Sequence, residues 1–405
     1  MTMSTRSGAA FSTPGFLGDD PYPAYRDARS RCPVVHDPVL NAYAVTRYED
    51  VAEVLADPAT YSSLLAVPMY PDNSPAVREA LGTEVLDDPG LYMVVADPPD
   101  HRALKGHGTA LISRERVESL KPKIVARAVR LVDRFVADGR VELVSAFADR
   151  LAYGTLCDLL GLPEEMRERS RGQVDMALCL IDPTARPERK LAGATAVREW
   201  YTEIRELVSA RAQHPEDDML SELAGTGQSV QAWAYVQSLL GAGIYTTRHL
   251  IAGVVHTLLQ PEHRPHWERL IASPAAAPAL VEEYLRRDAP HRGLNRLATR
   301  DVRLGGVRIE AGSTVLPLVG SANRDEMVFP APDRFDPGRR NIRMHLALGR
   351  GIHACVGARL ARMEAVTALE VLSRNLPTAR LQADFVPRYV PSPYFRGLER
   401  LDLGW

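Results

Sequence analysis

A single cysteine, Cys355, stands in a stretch that holds three glycines, Gly349, Gly351 and Gly357. Glycine accepts positive φ angles and lets other groups approach the backbone closely, so such a loop can turn its amides toward one sulfur. Amide donors and the N-terminus of a helix predicted to begin near Val356 both favour a thiolate, which is the form that binds metals. The spacing therefore predicts a thiolate ligand at Cys355.

The metal partner of a lone thiolate is restricted by coordination number. Zinc would need three or four protein ligands, and the remaining cysteines, Cys32, Cys157 and Cys179, lie far from Cys355 in the sequence. Haem needs only one axial ligand from the protein here, because its macrocycle supplies four nitrogens. The residues alone thus favour haem over zinc. They leave open a buried free cysteine, which is a common structural feature.

The stretch LGRGIHACVG closely resembles the haem-binding signature of the cytochrome P450 family, an aromatic residue followed by G-x-G-x-H-x-C-x-G. Leu348 stands where the family usually has Phe, a residue that packs near the sulfur. The resemblance implies that Cys355 is the axial ligand of haem b and that His353 contacts a haem propionate. It also implies that Leu348, Gly349 and Gly357 contact the cofactor. The likeness extends from about residue 22 to the C-terminus and points to the bacterial, soluble class of the family.

Three further cations fall at positions where the family holds the haem propionates. His101 and Lys105 lie in DPPDHRALK, where the family usually has His and Arg. Lysine keeps the charge but loses the bidentate geometry of arginine. Arg296, in NRLATRD, resembles another propionate ligand. Each cation alone could be a solvated surface charge, whereas three at family spacing favour a cradle for an anionic cofactor.

Two glycines interrupt a long apolar helix, in the stretch LLGAGIYTTRHL. Gly241 and Gly243 each destabilise a helix by about 1 kcal/mol relative to alanine. A groove where a ligand or haem approaches the backbone would explain them, and a simple helix irregularity is the alternative. The stretch resembles the family pattern A-G-x-[DE]-T, with matches at Ala242, Gly243 and Thr246. The resemblance implies that Ala242 and Gly243 contact haem, and Tyr245 occupies the position of the acid.

In the family, the acid and the alcohol of this pattern govern proton delivery during dioxygen activation. A tyrosine phenol titrates near pH 10, so Tyr245 relays protons poorly compared with a carboxylate. Three alternatives follow, all with Tyr245 and Thr246 as candidate catalytic residues. Protons could pass through Thr246 and water while Tyr245 fills space, or the substrate could supply a polar group. Alternatively, the enzyme could couple rings or use peroxide without inserting oxygen.

A second resemblance concerns a buried ion-pair network rather than the chemistry. Glu283 and Arg286, in VEEYLR, are three residues apart and share one helix face. In the family, this E-x-x-R helix pairs with the arginine of a P-[DE]-R-F stretch, and PDRF gives Arg334 here. The resemblance implies a structural triad of Glu283, Arg286 and Arg334.

The resemblance also places residues around a substrate. They are Met93, Tyr245, His291, Leu294, Asn295 and Phe395. Their mixture of polar and aromatic groups predicts a medium-sized aromatic substrate with a polar or anionic group. For His291 and its neighbour Arg292, surface exposure or propionate contact is nearly as plausible.

The segment from residue 337 to residue 363 contains no acidic residue and six arginines. They are Arg339, Arg340, Arg343, Arg350, Arg359 and Arg362. A basic face beside the cysteine loop predicts docking of a small acidic electron carrier, a ferredoxin or flavodoxin served by an NAD(P)H reductase. A solvated arginine-rich face with some structural pairs is the alternative.

The length, charge and periodicity of the chain indicate its class and its secondary structure. The chain has 405 residues and a formal net charge of 49 − 51 = −2, which argues against nucleic acid as a partner. Helical periodicity covers residues 116–137, with a break expected at Pro122, and residues 200–212, 230–260 and 280–287. Residues 302–309 predict a hairpin around Gly305-Gly306, and residues 314–318 predict an edge strand because of Pro317.

The whole pattern predicts a mainly α protein with small β-sheets. The resemblance implies the cytochrome P450 fold, a triangular helical body with haem between a long distal helix and the cysteine loop. We expect residues 1–20 to be flexible and residues 21–405 to form one domain. No signal peptide or membrane span is visible, which predicts a cytoplasmic protein. The implied activity is haem-thiolate monooxygenation, by hydroxylation or O-demethylation, and a haem sensor without turnover is the rival class.

Overall fold

The computed structural model describes residues 16, 18–38, 40–67, 74–86, 92–181, 185–225, 229–390, 392 and 394–405. Its α-helices are α1 (Tyr22–Arg31), α2 (Tyr48–Ala56), α3 (Pro75–Leu81), α4 (Thr83–Leu86), α5 (Asp100–Leu111), α6 (Arg114–Asp133), α7 (Asp149–Leu160), α8 (Glu164–Ile181), α9 (Pro187–Gln213), α10 (Met219–Gly225), α11 (Ser229–Leu259), α12 (Arg264–Ala272), α13 (Ala277–Arg287), α14 (Val319–Ala322) and α15 (Ala358–Asn375). The strands are β1 (Val34–Asp37), β2 (Ala42–Val45), β3 (Tyr61–Ser62), β4 (Arg140–Glu142), β5 (Arg296–Ala298), β6 (Val302–Leu304), β7 (Val307–Ile309), β8 (Thr314–Pro317), β9 (Arg380–Leu381) and β10 (Asp402–Gly404). A mainly α protein with small sheets is therefore confirmed.

The predicted flexible segment 1–20 falls mostly on residues 1–15 and 17, which lie outside the described residues. Phe16 is buried, and its backbone oxygen accepts a hydrogen bond from the Tyr25 hydroxyl at 2.9 Å. The Gly18 oxygen accepts one from Arg292 at 3.3 Å. The described part of this segment is therefore held against the body.

Helix α6 runs without interruption through Pro122, so the predicted break there is wrong. Proline removes one backbone donor and costs about 3 kcal/mol in a helix interior. The apolar residues on either side, Leu120 and Ile124, are buried in the main core, and this packing outweighs the local penalty. The Ser113 side chain also caps the N-terminus, accepting from the Arg116 amide at 3.2 Å.

The largest sheet has the strand order β1-β2-β8-β5-β3. Strand β8 lies in its interior, parallel to β2 and antiparallel to β5, so the predicted edge position is wrong. Pro317 is tolerated because it is the last residue of β8, and β5 pairs with β8 only as far as Val315. The missing amide of Pro317 is therefore not needed by β5. The predicted hairpin is confirmed as β6 and β7, joined through Gly305 and Gly306.

Helix α11 spans 31 residues and matches the predicted long helix closely. Its apolar side chains, among them Ile244, Ile251 and Leu258, belong to the main core, together with residues of α7, α13 and α15. None of the described helices is both long and apolar enough to cross a membrane. Helix α11 therefore serves as a central element against which the site-bearing segments pack.

Candidate active site

The cysteine loop is closed by backbone hydrogen bonds. The Cys355 amide donates to the Leu348 oxygen at 2.8 Å, and α15 begins three residues later. Gly349 and Gly351 have φ angles of +72° and +70°, in the left-handed region. A Cβ at Gly351 would lie 2.8 Å from the backbone oxygen of Leu55, at the end of α2. This loop conformation therefore requires glycine, as the sequence pattern predicts.

The environment of the sulfur differs from the expected one in one respect. Burial raises the pKa of the Cys355 thiol, while the Gly357 amide, Lys105 and Arg362 oppose this rise without overcoming it. The amide acts in the direction predicted from the sequence, and desolvation acts against it. A bound metal cation would deprotonate a coordinating thiol outright.

Four basic residues converge beside the loop, and we call them the basic cluster: His101 and Lys105 of α5, Arg296 of β5, and His353. The rings of His101 and His353 lie 4.2 Å apart between centroids. Lys105 donates its ammonium to the backbone oxygen of Ala354. The structure thus brings together the four residues that the sequence assigns to the propionates.

The positive charges of the basic cluster are not balanced by nearby carboxylates. Burial is the main cause that lowers the pKa of each member, to about 3 for His353 and about 10 for Arg296. One carboxylate, Asp97, acts on three of the members, and it already accepts hydrogen bonds from the Ser63 amide and the Ser62 hydroxyl. The Nε2 atoms of His101 and His353 are buried without a hydrogen-bond partner. A ligand with two anionic groups would satisfy these atoms and restore the charge balance.

These residues fit haem b. A cysteine with a free thiol stands beside a basic cluster suited to two propionates. The described residues contain no group of three or more His, Cys, Asp and Glu side chains that could hold a metal ion by themselves. A macrocycle that needs one protein ligand matches this arrangement, and zinc does not.

The α11 residues that were predicted to lie on the haem's distal side, Ala242 and Gly243, have different surroundings. Ala242 is exposed in the middle of the helix, and its backbone oxygen accepts a hydrogen bond from the Thr246 hydroxyl at 2.7 Å. A Cβ at Gly243 would lie 2.8 Å from the Leu156 side chain of α7. Gly243 is thus explained by the close packing of α11 on α7, whereas a Cβ at Gly241 would meet nothing within 4 Å.

Tyr245 packs against an ion-pair network that the sequence did not predict. The Arg248 guanidinium lies 3.8 Å from the centre of the Tyr245 ring. Arg248 donates to Asp149 at 3.1 Å, and Asp149 also accepts from Arg171 at 2.8 Å. Burial raises the pKa of Tyr245, and Arg248 opposes this rise. A phenol in this environment is an even weaker proton donor than free tyrosine.

Three predicted substrate residues form an aromatic cluster. The Phe395 ring lies 6.0 Å from the Tyr245 ring and 5.9 Å from the His291 ring. Burial, aided by the charge of Arg296, lowers the pKa of His291 to about 4, so this side chain is neutral near pH 7. Its Nε2 atom is buried without a hydrogen-bond partner. The cluster thus combines aromatic faces with one unsatisfied polar atom.

Arg292 does not face a substrate. It is buried and donates to the backbone oxygens of Phe395 at 3.1 Å and Phe16 at 3.4 Å. The interpretation of this residue as surface-exposed is therefore wrong. Its guanidinium instead joins the N-terminal segment to the segment that carries Phe395.

The other predicted substrate residues are half-buried. Met93 packs against the main core, and a Cβ at Gly108 of α5 would lie 3.6 Å from its sulfur. Leu294 and Asn295 come directly before β5, and the Asn295 backbone oxygen accepts from Arg296 at 2.9 Å. Their assignment to the substrate stays a prediction.

The structural triad contains a different arginine from the predicted one. Glu283 and Arg286 are fully buried and form two hydrogen bonds of 2.8 Å. The third side chain is Arg339, which donates to Glu283 at 3.1 Å and is 6% exposed. The Arg334 side chain is exposed, and this residue contributes only its backbone oxygen, which accepts from Arg286 and Arg339. The assignment of Arg334 is therefore wrong, because the turn after PDRF directs a later arginine inward.

The six arginines near the cysteine loop divide into two groups. Arg339 binds Glu283, and Arg362 forms a bidentate salt bridge with Glu282, with hydrogen bonds of 2.7 and 2.8 Å. The other four are exposed. They are Arg340, Arg343, Arg350 and Arg359. The structural pairs expected in the alternative interpretation are confirmed for Arg339 and Arg362, and docking of an electron carrier on the four exposed arginines stays a prediction.

The fold and the site fit a haem-binding protein with Cys355 as the predicted ligand. A family model described as Cytochrome P450 matches residues 255–376. The biotin biosynthesis cytochrome P450 of Bacillus subtilis (strain 168) is 31% identical over 389 residues, covering 94% of this chain and 95% of the relative. The 6-deoxyerythronolide B hydroxylase of Saccharopolyspora erythraea is 32% identical over 376 residues, covering 90% and 91%. The chain therefore belongs to the cytochrome P450 family, and haem b is its cofactor.

Solved structures agree with this conclusion. P450BioI, in complex with a hexadec-9Z-enoic acid ligated acyl carrier protein, has a TM-score of 0.87 and 31% identity, covering 97% of this chain and 100% of its own. Cytochrome P450 CREJ, in complex with (4-ethylphenyl) dihydrogen phosphate, has a TM-score of 0.89 and 28% identity, covering 96% and 97%. Because its relatives are named as hydroxylases and monooxygenases, the chain is an enzyme of the P450 monooxygenase type rather than a sensor.

Proposed function

We propose that this monooxygenase hydroxylates or O-demethylates a medium-sized aromatic small molecule that carries a neutral polar group. The observation that carries the proposal is the cluster of Tyr245, His291 and Phe395, in which the Phe395 ring lies 6.0 Å from Tyr245 and 5.9 Å from His291. Aromatic rings favour offset or edge contacts with another ring. The Nε2 atom of neutral His291 lacks a hydrogen-bond partner and could bind a hydroxyl or carbonyl group of the substrate. Arg292 donates to backbone oxygens and is therefore not free to bind an anionic group.

The complex of CREJ with an aryl phosphate supports an aromatic substrate, since that neighbour shares the fold. The complex of P450BioI with an acyl carrier protein supports a different substrate class, a carrier-bound acyl chain. The aromatic lining of the present site favours the first class. The alternative makes a distinct prediction, namely tight binding of long aliphatic acids.

Ligand binding tests the proposed substrate class. We expect neutral phenols and aryl ketones to shift the haem spectrum toward the high-spin form, and Phe395→Ala to weaken this binding about tenfold, because an aromatic contact is lost. The measurement is a spectral titration of the purified haem-loaded protein. Phe385→Ala is the matched control, since Phe385 packs against His256 instead and should leave the titration unchanged. Preferential binding of neutral alkanes or of long aliphatic acids would contradict the proposal.

Haem b, held through Cys355, supplies the iron that activates dioxygen. This chain's own residues must then supply protons. The Thr246 hydroxyl donates to the Ala242 backbone oxygen, which leaves its own oxygen free to accept a hydrogen bond from water. Tyr245 is engaged with Arg248. We therefore assign proton delivery to Thr246 and water, and a space-filling role to Tyr245.

A pair of neighbouring substitutions tests this assignment. We expect Thr246→Ala to divert about tenfold more reducing equivalents into peroxide, because the hydroxyl that orders water is lost. Tyr245→Phe keeps the ring and removes only the hydroxyl group. The peroxide formed per NAD(P)H consumed should therefore stay within about twofold of the wild-type value. The measurement is peroxide formed per NAD(P)H consumed with a tight-binding substrate. A rise in peroxide for Tyr245→Phe equal to that for Thr246→Ala would give the phenol a proton role.

Oxidative coupling or peroxide-driven oxidation is the second candidate function. The observation that favours it is the absence of a carboxylate at position 245, where the side chain is a tyrosine stacked on Arg248. Labelled dioxygen separates the candidates. Hydroxylation adds one labelled oxygen atom to the product, and O-demethylation places the labelled atom in the released formaldehyde. Coupling removes two hydrogen atoms and adds no oxygen, and peroxide-driven oxidation incorporates no label from dioxygen.

We propose that electrons reach the haem from a ferredoxin or flavodoxin with an NAD(P)H reductase. Support comes from the four exposed arginines beside the cysteine loop, which complement an acidic carrier. The exposed Met344 side chain, next to Arg343, adds apolar area to the same face. A cytoplasmic location agrees with a donor of this kind.

A further inference from the structure

A cleft of about 670 Å³ opens between α6, α7 and α8. Its lining includes neither the cysteine loop nor the basic cluster. Seven basic and three acidic described residues line it, and four of the basic ones belong to α6 and its C-terminal cap: Lys123, Arg127, Arg130 and Arg134. The cleft therefore carries a formal charge of 7 − 3 = +4, although the whole chain is slightly acidic.

The four basic residues of α6 and its C-terminal cap form a stripe along one side of the helix. Their spacing is i, i+4, i+7 and i+11, which places them on one face, whereas Ile124 on another face is buried in the main core. Like charges at these spacings destabilise a helix by a few tenths of a kcal/mol per pair. The stripe is thus an unfavourable arrangement for the isolated helix, and a bound anion would relieve it.

The acidic residues of the cleft do not neutralise it. Asp158 is 12% exposed and is held by two guanidiniums, Arg127 at 2.6 Å and Arg167 at 3.1 Å. Glu164 and Glu168 are 86% and 81% exposed, so solvent screens their charges. Arg171 is also paired, with Asp149 at 2.7 Å. The positive charge that remains in excess therefore lies mainly on Lys123, Arg130 and Arg134.

One arginine is fixed in place and still has unused donor capacity. The Arg127 guanidinium lies so close to α7 that a Cβ at Gly154 would be 2.4 Å from it. The Nε atom of Arg127 is buried without a hydrogen-bond partner. A buried donor without a partner is unfavourable, and an acceptor from a ligand would satisfy it.

Six of the seven basic residues are arginines, whose planar forks bind phosphate oxygens in pairs. The volume lies within the range of small-molecule pockets. The guanidiniums of Arg127 and Arg167 are each 19% exposed, which suits an inserted group better than a flat protein surface. We propose that this cleft binds the phosphate groups of a small phosphorylated ligand. The site is independent of the proposed oxidation, because it does not involve the residues assigned to the haem.

Inorganic pyrophosphate is the probe for this site. Isothermal titration of the full-length, haem-loaded protein should show one bound pyrophosphate whose affinity falls as salt is raised. The double variant Arg130→Glu/Arg134→Glu should bind about tenfold more weakly or worse, because two charge-assisted contacts are replaced by repulsion. Both side chains are exposed, so the fold should be retained, and far-ultraviolet circular dichroism checks this.

Lys121→Glu is the matched control, since Lys121 is exposed on the same helix but outside the cleft. Its affinity for pyrophosphate should stay within about twofold of wild type at moderate salt. The proposal is overturned if wild-type protein gives no binding heat, or if Lys121→Glu loses as much affinity as the double variant. It is also overturned if citrate binds as tightly as pyrophosphate, since the site would then lack preference for phosphate.

Discussion

We expect replacement of Cys355 with alanine to abolish the red-shifted absorbance of the reduced, carbon-monoxide-treated protein and to lower monooxygenase activity by at least about a hundredfold. The reason is that we propose Cys355 as the one thiolate ligand of the iron, and the described residues near the loop offer no second cysteine. The thiolate donates electron density to the iron, and an alanine methyl group cannot replace it. The measurements are the reduced carbon-monoxide difference spectrum and product formation per haem.

Cys32→Ala provides the control for this substitution. Cys32 also has a free thiol, and its sulfur donates to the Val34 backbone oxygen at 3.2 Å, far along the chain from the loop. The control should keep the spectrum and the activity of wild type. A Cys355→Ala protein that retains the red-shifted absorbance would disprove cysteine ligation at this position.

The second large effect concerns stability. Arg339→Ala should lower the free energy of unfolding by about 3 kcal/mol, because it removes a guanidinium that binds the fully buried Glu283. The same guanidinium donates to the backbone oxygens of Pro330 and Ala331, both at 2.6 Å, and these acceptors would also lose their partner. The measurement is urea denaturation of the haem-loaded protein, followed by circular dichroism.

Arg334→Ala tests the competing assignment from the sequence. The Arg334 side chain is exposed and only its backbone oxygen takes part in the network, so its removal should change stability by less than about 0.5 kcal/mol. Arg339→Lys should be intermediate, because lysine keeps the charge but lacks the fork that reaches several acceptors. Equal losses for the two alanine variants would argue against the network described for Arg339.

The haem-side site could be predicted from the sequence because its geometry is local. The positions of Gly349, Gly351 and Cys355 within one short loop determine the backbone turn and the ligand together. The long helix α11 was likewise predicted nearly to the residue, since its apolar period continues on both sides of Gly241 and Gly243 and leaves few alternatives. The basic cluster required the family resemblance, because His101 and Arg296 are brought together only by the tertiary fold.

The errors share a non-local origin. Strand β8 is interior because β2, more than 260 residues earlier in the chain, pairs with it. Pro122 stays helical because the core holds its neighbours, which local propensity does not report. Either Arg334 or Arg339 could supply the positive charge that pairs with Glu283. Which of them does so depends on the orientation of the turn between them, and the sequence does not show this orientation. The pairing of Arg248 with Asp149 had no sequence signal beyond opposite charge.

The stacking of Arg248 on Tyr245 restricts how position 245 can change. An aspartate there would lie one helical turn before Arg248 and would attract the guanidinium that now binds Asp149. Asp149 would then depend on Arg171 alone. Restoring the family's usual acid at position 245 therefore also changes the interactions of positions 149 and 248. Engineering of the distal helix has to vary these three positions together.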